Sequence, residues 1–141
     1  MLLLDTDICI YLLNGRFPAV AERLRTTPRH DLGTTAITAA ELRFGALNSG
    51  KVEENLERAA TFLAPLTIVP FDALAAVEFA RLKAALSSRG DLIGTTDLLI
   101  ASSVLAVRGT LVTNNLREFR RVPGLAVESW AESEGLSRSP S

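Results

Sequence analysis

The chain has 141 residues, of which 48% are hydrophobic and 22% charged, and its formal net charge is −1. This length suits one well-buried domain, and the composition excludes a disordered or fibrous chain. The near-zero net charge also excludes a uniformly basic nucleic-acid binder, so any contact with nucleic acid must come from local clusters among the 13 arginines. No apolar run is long enough to cross a bilayer and no basic segment precedes the N-terminal leucines, so we expect a cytosolic protein without a signal peptide.

The N-terminal stretch is an apolar run that opens directly onto a carboxylate. Leu2–Leu4 has the pattern of a short, fully buried strand, and Asp5 follows where that strand ends and a helical pattern begins. In an open α/β sheet, ligands bind at this edge. The single cysteine, Cys9, lies between two isoleucines of the first helix, so we predict that it packs in the core and that the chain has no internal disulfide.

Strand and helix patterns alternate along the rest of the chain. Further strands are predicted at Leu32–Ile37, Leu66–Phe71, Leu111–Thr113 and Leu125–Val127. Further helices are predicted at Pro18–Arg25, from Thr38 to about Leu47, at Val52–Leu63, from a cap at Asp72 to near Gly90, and at Leu98–Val107.

This alternation predicts an α/β fold with a single domain over residues 1–130. The expected architecture is a central, mostly parallel sheet of four or five strands with helices on both faces. The helix at Leu98–Val107 is apolar on all sides, which predicts a buried central position. The polar, serine-rich segment 131–141 is expected to be a flexible tail.

Four acidic residues lie near the end of a predicted strand or the start of a predicted helix: Asp5, Glu41, Asp97 and Glu118. A parallel sheet can gather them in one crevice, where they would repel and raise one another's pKa. A bound divalent cation would remove this conflict, and a site with only oxygen ligands selects Mg²⁺ or Mn²⁺. Such a site can activate a water molecule and stabilise the leaving oxygen of a phosphodiester.

Each carboxylate also has a purely structural explanation. These are a helix cap for Asp5, a capping box from Thr38 to Glu41, a dipole contact for Asp97 and a surface ion pair of Glu118 with Arg117 or Arg121. Taken singly, each residue favours the structural explanation. Taken together at one crevice, the four favour a metal site.

The motifs LLLDTDICIYLL, TAAELRFGA, IGTTDLLIAS and TLVTNNLREFRRVPGLAVESW follow one another along residues 1 to about 130. In order and spacing they resemble a PIN domain and, more narrowly, a VapC-type ribonuclease toxin of a type II toxin–antitoxin pair. The resemblance places the family's acidic quartet on the same four carboxylates. It implies that Asp5 and Asp97 bind Mg²⁺, or Mn²⁺, directly, and that Glu41 and Glu118 bind through water or orient the nucleophile.

The resemblance also implies polar supporting groups at Thr113 and Asn115. Many PIN domains carry an aspartate where this chain has Asn115, so one anionic ligand is absent and Glu118 gains importance. The implied reaction is hydrolysis of RNA by metal-activated water. Three arginines beside Glu118 are candidates for contacts with flanking phosphates, or else form a solvated basic segment: Arg117, Arg120 and Arg121.

The implied partners are an RNA substrate, a cognate antitoxin and a second copy of the toxin. The pattern TNNxREFxRVxGL resembles the branch that cuts initiator tRNA in its anticodon stem-loop, so tRNA is the expected substrate. The antitoxin would be a small VapB-type protein, the toxin would form a homodimer, and no membrane is involved. Candidates for the antitoxin groove, or else for the core, are Phe44, Leu47, Leu56 and Phe62.

Two other functions remain open at this level. A haloacid-dehalogenase-like phosphatase would use Asp5 as a covalent nucleophile and Asp7 as the general acid. Cys9 stands where that motif expects Thr or Val, and no two aspartates adjoin, so we instead expect Asp7 to serve at the helix start or in an ion pair. The second alternative is a non-catalytic PIN-like module that binds RNA or a protein.

Overall fold

The computed structural model describes residues 1–130, so the predicted tail at 131–141 lies outside the described residues. The strands are β1 (Leu2–Leu4), β2 (Leu32–Thr35), β3 (Thr67–Val69), β4 (Thr110–Val112) and β5 (Ala126–Glu128). They form one sheet in the order β3-β2-β1-β4-β5, and every neighbouring pair is parallel. The predicted parallel sheet is therefore confirmed, with five strands.

Seven helices connect these strands within residues 1–130. They are α1 (Thr6–Leu13), α2 (Pro18–Thr26), α3 (Ala36–Leu47), α4 (Val52–Leu63), α5 (Ala73–Ser88), α6 (Thr95–Ala106) and α7 (Leu116–Phe119). Two predicted strands extend too far. The segment Leu32–Ile37 ends as a strand at Thr35 because Ala36 already begins α3, and Leu66–Phe71 ends at Val69 because Pro70 has no N–H for the ladder.

The helices cover both faces of the sheet, as predicted. Successive strand residues point to opposite faces, so Leu3 packs in a core with α5 and α6, while Leu4 packs in a second core with α1 to α4. Cys9 is fully buried in the second core, which confirms its predicted packing. Burial raises the pKa of its thiol, so it remains protonated.

Helix α6 occupies the predicted buried position. Six of its residues are buried, among them Ser102 and Ser103. The hydroxyls of these serines donate to the carbonyl oxygens of Leu98 and Leu99, at 2.6 and 2.9 Å, which satisfies them inside the core. Within residues 1–130, no helix has both the length and the apolar character needed to cross a membrane.

The chain order of the strands fixes where a site can lie. The chain goes from β1 outward through β2 to β3, and then crosses to β4 on the other side of β1. This reversal makes the carboxyl ends of β1 and β4 the switch point of the sheet, where open α/β folds bind ligands. The backbone joins these two ends, because the N–H of Asp5 donates to the carbonyl of Val112 at 3.0 Å.

Candidate active site

Asp5 lies at the switch point and is almost fully buried, with 4% of its surface exposed. It caps α1, since its Oδ1 accepts a hydrogen bond from the N–H of Ile8 at 2.9 Å. Burial raises its pKa to about 6, aided by the charges of Asp7 and Glu41 and opposed by hydrogen bonds from the Thr113 hydroxyl and the Ile8 amide. Asp5 therefore does cap α1, as the structural explanation predicted, and this role is compatible with a second role in binding a cation.

Asp97 lies half-buried in the first turn of α6, as predicted. Burial raises its pKa to about 7, and the neighbouring carboxylates of Glu118, Asp5 and Asp7 raise it further. Asp97 also shares a hydrogen bond with Glu118. Because the pKa of Asp97 is raised and that of Glu118 is lowered, a proton shared by the two carboxyl groups lies on Asp97, which donates to Glu118.

Glu118 accepts hydrogen bonds from three donors, two at the start of α6 and one at the start of α7. Besides Asp97, its Oε1 accepts from the N–H of Gly94 at 3.2 Å and its Oε2 accepts from Nδ2 of Asn115 at 2.6 Å. Burial alone would raise the pKa of Glu118, but these hydrogen bonds, with the charge of Arg121, lower it.

The predicted ion pair of Glu118 with a neighbouring arginine is not formed among residues 1–130. Nε of Arg121 instead lies 3.5 Å from Asp91, in the loop between α5 and α6. Arg89 pairs with the same aspartate at 3.6 Å, so this carboxylate already occupies two guanidinium groups. Arg117 and Arg120 have exposed side chains without an ion pair in the described part of the chain. The predicted phosphate contacts of these arginines stay a prediction.

Glu41 reaches the site by a route that the sequence pattern did not indicate. The cap of α3 is Thr35 rather than Thr38, so Glu41 lies in the second turn of the helix and not in the first. The predicted capping box is wrong because Thr35, at the end of β2, accepts from the N–H of Thr38 at 3.1 Å and starts the helix three residues earlier. The Glu41 side chain instead accepts a hydrogen bond of 2.5 Å from the Thr6 hydroxyl.

Thr113 and Asn115 connect the two halves of the site. Thr113 is fully buried beside Asp5, and its Oγ1 accepts from the N–H of Asn115 at 2.9 Å. Since Asn115 also holds Glu118, one chain of contacts runs from Asp5 to Glu118. These contacts are those of supporting groups, and the catalytic role of the residues stays a prediction.

A crevice of about 220 Å³ lies between these elements. Its lining residues are Asp5, Thr6, Asp7, Glu41, Gly94, Thr95, Thr96, Asp97, Asn115 and Phe119. Thr6 and Asp7 follow Asp5 along the chain and also line this crevice, although no sequence signal predicts them as part of the site. Asp7 lies in the first turn of α1 as expected, but it has no ion pair among residues 1–130, and its charge acts on Asp5 and Asp97.

The carboxylates do not yet surround a single point. Among residues 1–130, no three His, Cys, Asp or Glu side chains lie at spacings that would hold a metal ion. The donor set nevertheless fits a hard divalent cation, since no lysine or arginine lines the crevice to balance its charge.

Comparison with known proteins agrees with this fold. The sequence profile of the PIN domain matches residues 2–125. Ribonuclease VapC2 of Rickettsia felis is 37% identical over 91% of this chain and 96% of its own length. The tRNA(fMet)-specific endonuclease VapC of Salmonella typhimurium is 33% identical over 91% and 96%, respectively.

The crystal structure of VapBC2 from Rickettsia felis, bound to a DNA fragment from its promoter, superposes with a TM-score of 0.85. The identity there is 36%, covering 92% of this chain and 98% of that chain. The chain therefore belongs to the PIN-domain family and, within it, to the VapC ribonucleases. This confirms the resemblance and the prediction of an enzyme, and it leaves the phosphatase and the non-catalytic module without support.

Proposed function

We propose that the protein is a Mg²⁺-dependent endoribonuclease and the toxic member of a type II toxin–antitoxin pair. The observation that carries the proposal is the presence of Asp5, Glu41 and Asp97, together with Asp7, around one crevice. Glu118 does not line this crevice but is hydrogen-bonded to Asp97 beside it. Two of the carboxylates, Asp5 and Asp97, have pKa values raised by burial and mutual repulsion. A fold stable enough to hold uncompensated carboxylates together is a strong indication of cation binding.

Asp5 and Asp97 are the proposed direct ligands of the ion, because they are the two members most disfavoured as bare carboxylates. When bound, Mg²⁺ would lower the pKa of a water molecule and stabilise the leaving oxygen of the phosphodiester. Glu41 and Glu118 would orient that water and accept its proton. Thr113 and Asn115 would keep the carboxylates in place through the hydrogen bonds already described. Mn²⁺ has the same preference for oxygen ligands and is expected to substitute.

The proposed substrate is tRNA, and initiator tRNA in particular. Support comes from the Salmonella relative, which carries the name of a tRNA(fMet)-specific endonuclease, and from the arginines that flank the crevice. Arg117 and Arg120, which have exposed side chains without ion pairs among residues 1–130, are proposed to hold phosphates next to the scissile bond. Arg121 can join them by leaving Asp91. Action on tRNA implies action in the cytoplasm.

The proposed antitoxin is a VapB-type protein, because the Rickettsia felis neighbour is a VapBC complex. A groove of about 540 Å³ between α1, α2 and α4 is a suitable surface, and half-buried Phe62 lines it. On α3, Phe44 and Leu47 are 67% and 59% exposed, which excludes them from the core and favours a partner surface. Leu56 is half-buried, which suits packing within the fold as well.

The protein is also proposed to form a homodimer. The helical pattern of α5 includes Leu74 and Val77, yet these residues are 65% and 64% exposed and point away from the core. These exposed apolar side chains of α5 suit a contact between two copies. Ile68 of the edge strand β3 is also 40% exposed, but it points to the opposite face of the sheet from Val69, which packs with α5 and α6.

The test is cleavage of purified initiator tRNA and elongator tRNA by the full-length protein, with Mg²⁺ and with EDTA. We expect Mg²⁺-dependent cleavage of initiator tRNA, abolished in Asp97→Asn and unchanged in Asp72→Asn, which alters an exposed capping aspartate on α5. RNA binding without cleavage by the folded protein would support a binding module instead. In cells, expression of the toxin alone should arrest growth, and the small open reading frame beside its gene should relieve the arrest.

A further inference from the structure

Three threonine hydroxyls form a row that ends on Glu41. Thr35 Oγ1 lies 3.4 Å from Thr38 Oγ1, which lies 3.1 Å from Thr6 Oγ1. The Thr6 hydroxyl then donates to Oε1 of Glu41 at 2.5 Å. The row crosses from the end of β2 through α3 to the first residue of α1. None of its members is a candidate catalytic group in its own right.

The protons along this row can point in only one direction. A threonine hydroxyl has one proton, and the Thr6 hydroxyl donates its proton in the hydrogen bond to Glu41. The contact between Thr6 and Thr38 therefore needs the proton of Thr38, and Thr35 in turn donates to Thr38. Hydrogen bonds aligned in this way polarise one another, and the last one is strengthened by the charge of its carboxylate acceptor.

Helix capping does not explain the row. Thr35 caps α3 with its oxygen lone pair, which leaves its proton free for Thr38. The cap of α1 is Asp5, so the hydroxyl of Thr6 has no capping task. Thr35 and Thr38 are fully buried and Thr6 is half-buried, so water does not provide an equivalent set of partners. The row is therefore organised around its acceptor.

We propose that Thr6 is a positioning residue, supported by Thr38, that holds Glu41 in a single orientation towards the crevice. Glu41 sits in the second turn of α3 and has no other hydrogen-bond partner for its side chain among residues 1–130. Without Thr6, this long side chain would rotate freely and face the crevice for only part of the time. The inference rests on the proposed function, because it assumes that Glu41 orients the attacking water.

The first test compares Thr6→Val, which removes the hydroxyl at nearly constant volume, with Thr6→Ser, which restores it. We expect kcat to fall about tenfold in Thr6→Val with KM for RNA unchanged, and to recover in Thr6→Ser, since a hydrogen bond to a charged group is lost and regained. Thr67→Val is the matched control, because Thr67 is exposed on edge strand β3 and takes no part in the row. Equal losses in Thr6→Val and Thr67→Val would overturn the proposal.

A double-mutant cycle separates positioning from general stability. Because Thr6 acts through Glu41, Thr6→Val should have no further effect on kcat in a Glu41→Ala background. An equal loss in both backgrounds would show that Thr6 acts independently of Glu41, against the proposal. Thr38→Val should cause a smaller loss than Thr6→Val, since it removes only the neighbour of the donor.

A second measurement decides the inference even if the protein cleaves no RNA. The side-chain rotamer population of Glu41, obtained from NMR couplings of the metal-free protein, should be a single rotamer in wild type and Thr6→Ser. In Thr6→Val it should become a mixture, while Thr67→Val stays like wild type. Absence of cleavage by wild type would refute the proposed function alone. An unchanged Glu41 rotamer in Thr6→Val would refute the positioning role alone.

Discussion

Replacing Asp5 by asparagine is expected to stabilise the metal-free protein at neutral pH while abolishing cleavage. Asp5 is a buried acid whose pKa is raised from its ordinary value of 3.8 to about 6. The folded state therefore binds its proton more tightly than the unfolded state does. The stability that goes with this proton is fully present below pH 3.8 and is lost as pH rises through about 6.

The pKa shift of Asp5 determines how much the Asp5→Asn substitution is expected to stabilise the folded protein. A pKa raised from 3.8 to about 6 corresponds to roughly 3 kcal/mol against the folded state at neutral pH. Asparagine caps a helix about as well as aspartate, so the hydrogen bond with the Ile8 amide persists in Asp5→Asn. For a chain of this length, a gain of this size raises Tm by up to roughly 10 °C.

The assay is calorimetric unfolding of wild type and Asp5→Asn in EDTA, near pH 7.5 and near pH 4.5. We expect a higher Tm for the variant at the upper pH and a difference of roughly a third of that size at the lower pH, where Asp5 of the folded protein is mostly protonated. Adding Mg²⁺ should then raise the Tm of wild type, because a ligand that binds only the folded state stabilises it, and should leave the variant unchanged.

The matched control is Asp72→Asn, which also replaces a capping aspartate, on α5. Its side chain accepts from the Ala75 amide at 3.0 Å but is exposed, so little desolvation is relieved and Tm should stay near that of wild type. A lower Tm for Asp5→Asn than for wild type at neutral pH would refute the reasoning, because it would make Asp5 a net structural contributor.

Three further outcomes are expected. Asn115→Asp should lower the free energy of unfolding of the metal-free protein by about 1–3 kcal/mol, because the amide that donates to Glu118 at 2.6 Å is replaced by a second carboxylate. Calorimetry with Mg²⁺ should show a smaller loss of stability than calorimetry without it, and equal losses would contradict the prediction. At limiting Mg²⁺, the cleavage rate should rise as the pH passes about 7, which is the raised pKa of Asp97, because protons compete with the cation for this carboxylate. A flat pH profile would argue against that competition. Trp130→Phe should cost about 1–2 kcal/mol in chemical unfolding without changing kcat, because the buried indole N–H donates to the Glu128 side chain at 2.6 Å. A reduced kcat would show that this pair affects the site, through the Glu128 carbonyl that accepts from the Thr113 N–H at 3.0 Å.

The sequence predicts those parts of the site that depend on local signals. Asp5 follows a uniformly apolar strand and Asp97 lies in the first turn of a mostly apolar helix, so their placement at strand and helix ends follows from the pattern around each residue. Glu41 shows the limit of this reasoning. Thr35 lies three residues before Thr38, and Thr38 lies three residues before Glu41. Either threonine could therefore be the N-cap of α3. Pairing of Thr35 with Val69 ends strand β2 there and decides for the earlier one.

Other parts of the site arise only from tertiary contacts. Gly94 donates its backbone N–H to Glu118, and a glycine carries no side-chain pattern that announces such a contact. Arg121 pairs with Asp91, which lies in a loop 30 residues earlier, instead of with the adjacent Glu118. Neither contact has a periodic or motif signal, because each depends on how the loop before α6 packs against α7.

The four carboxylates differ in how firmly the fold holds them. The backbone of Asp5 is bonded to β4, and α6 fixes Asp97 from within the core, so neither can move without disturbing the sheet or the core. Glu118 lies on the four-residue helix α7, and its side chain is held by three hydrogen bonds, one of which comes from the protonated Asp97. A bound cation that displaced the proton of Asp97 would remove one of those hydrogen bonds. If the proposed cation binds, Glu118 is therefore the carboxylate that we expect to adjust, and the hydrogen bonds from Asn115 and the Gly94 amide would limit how far it moves.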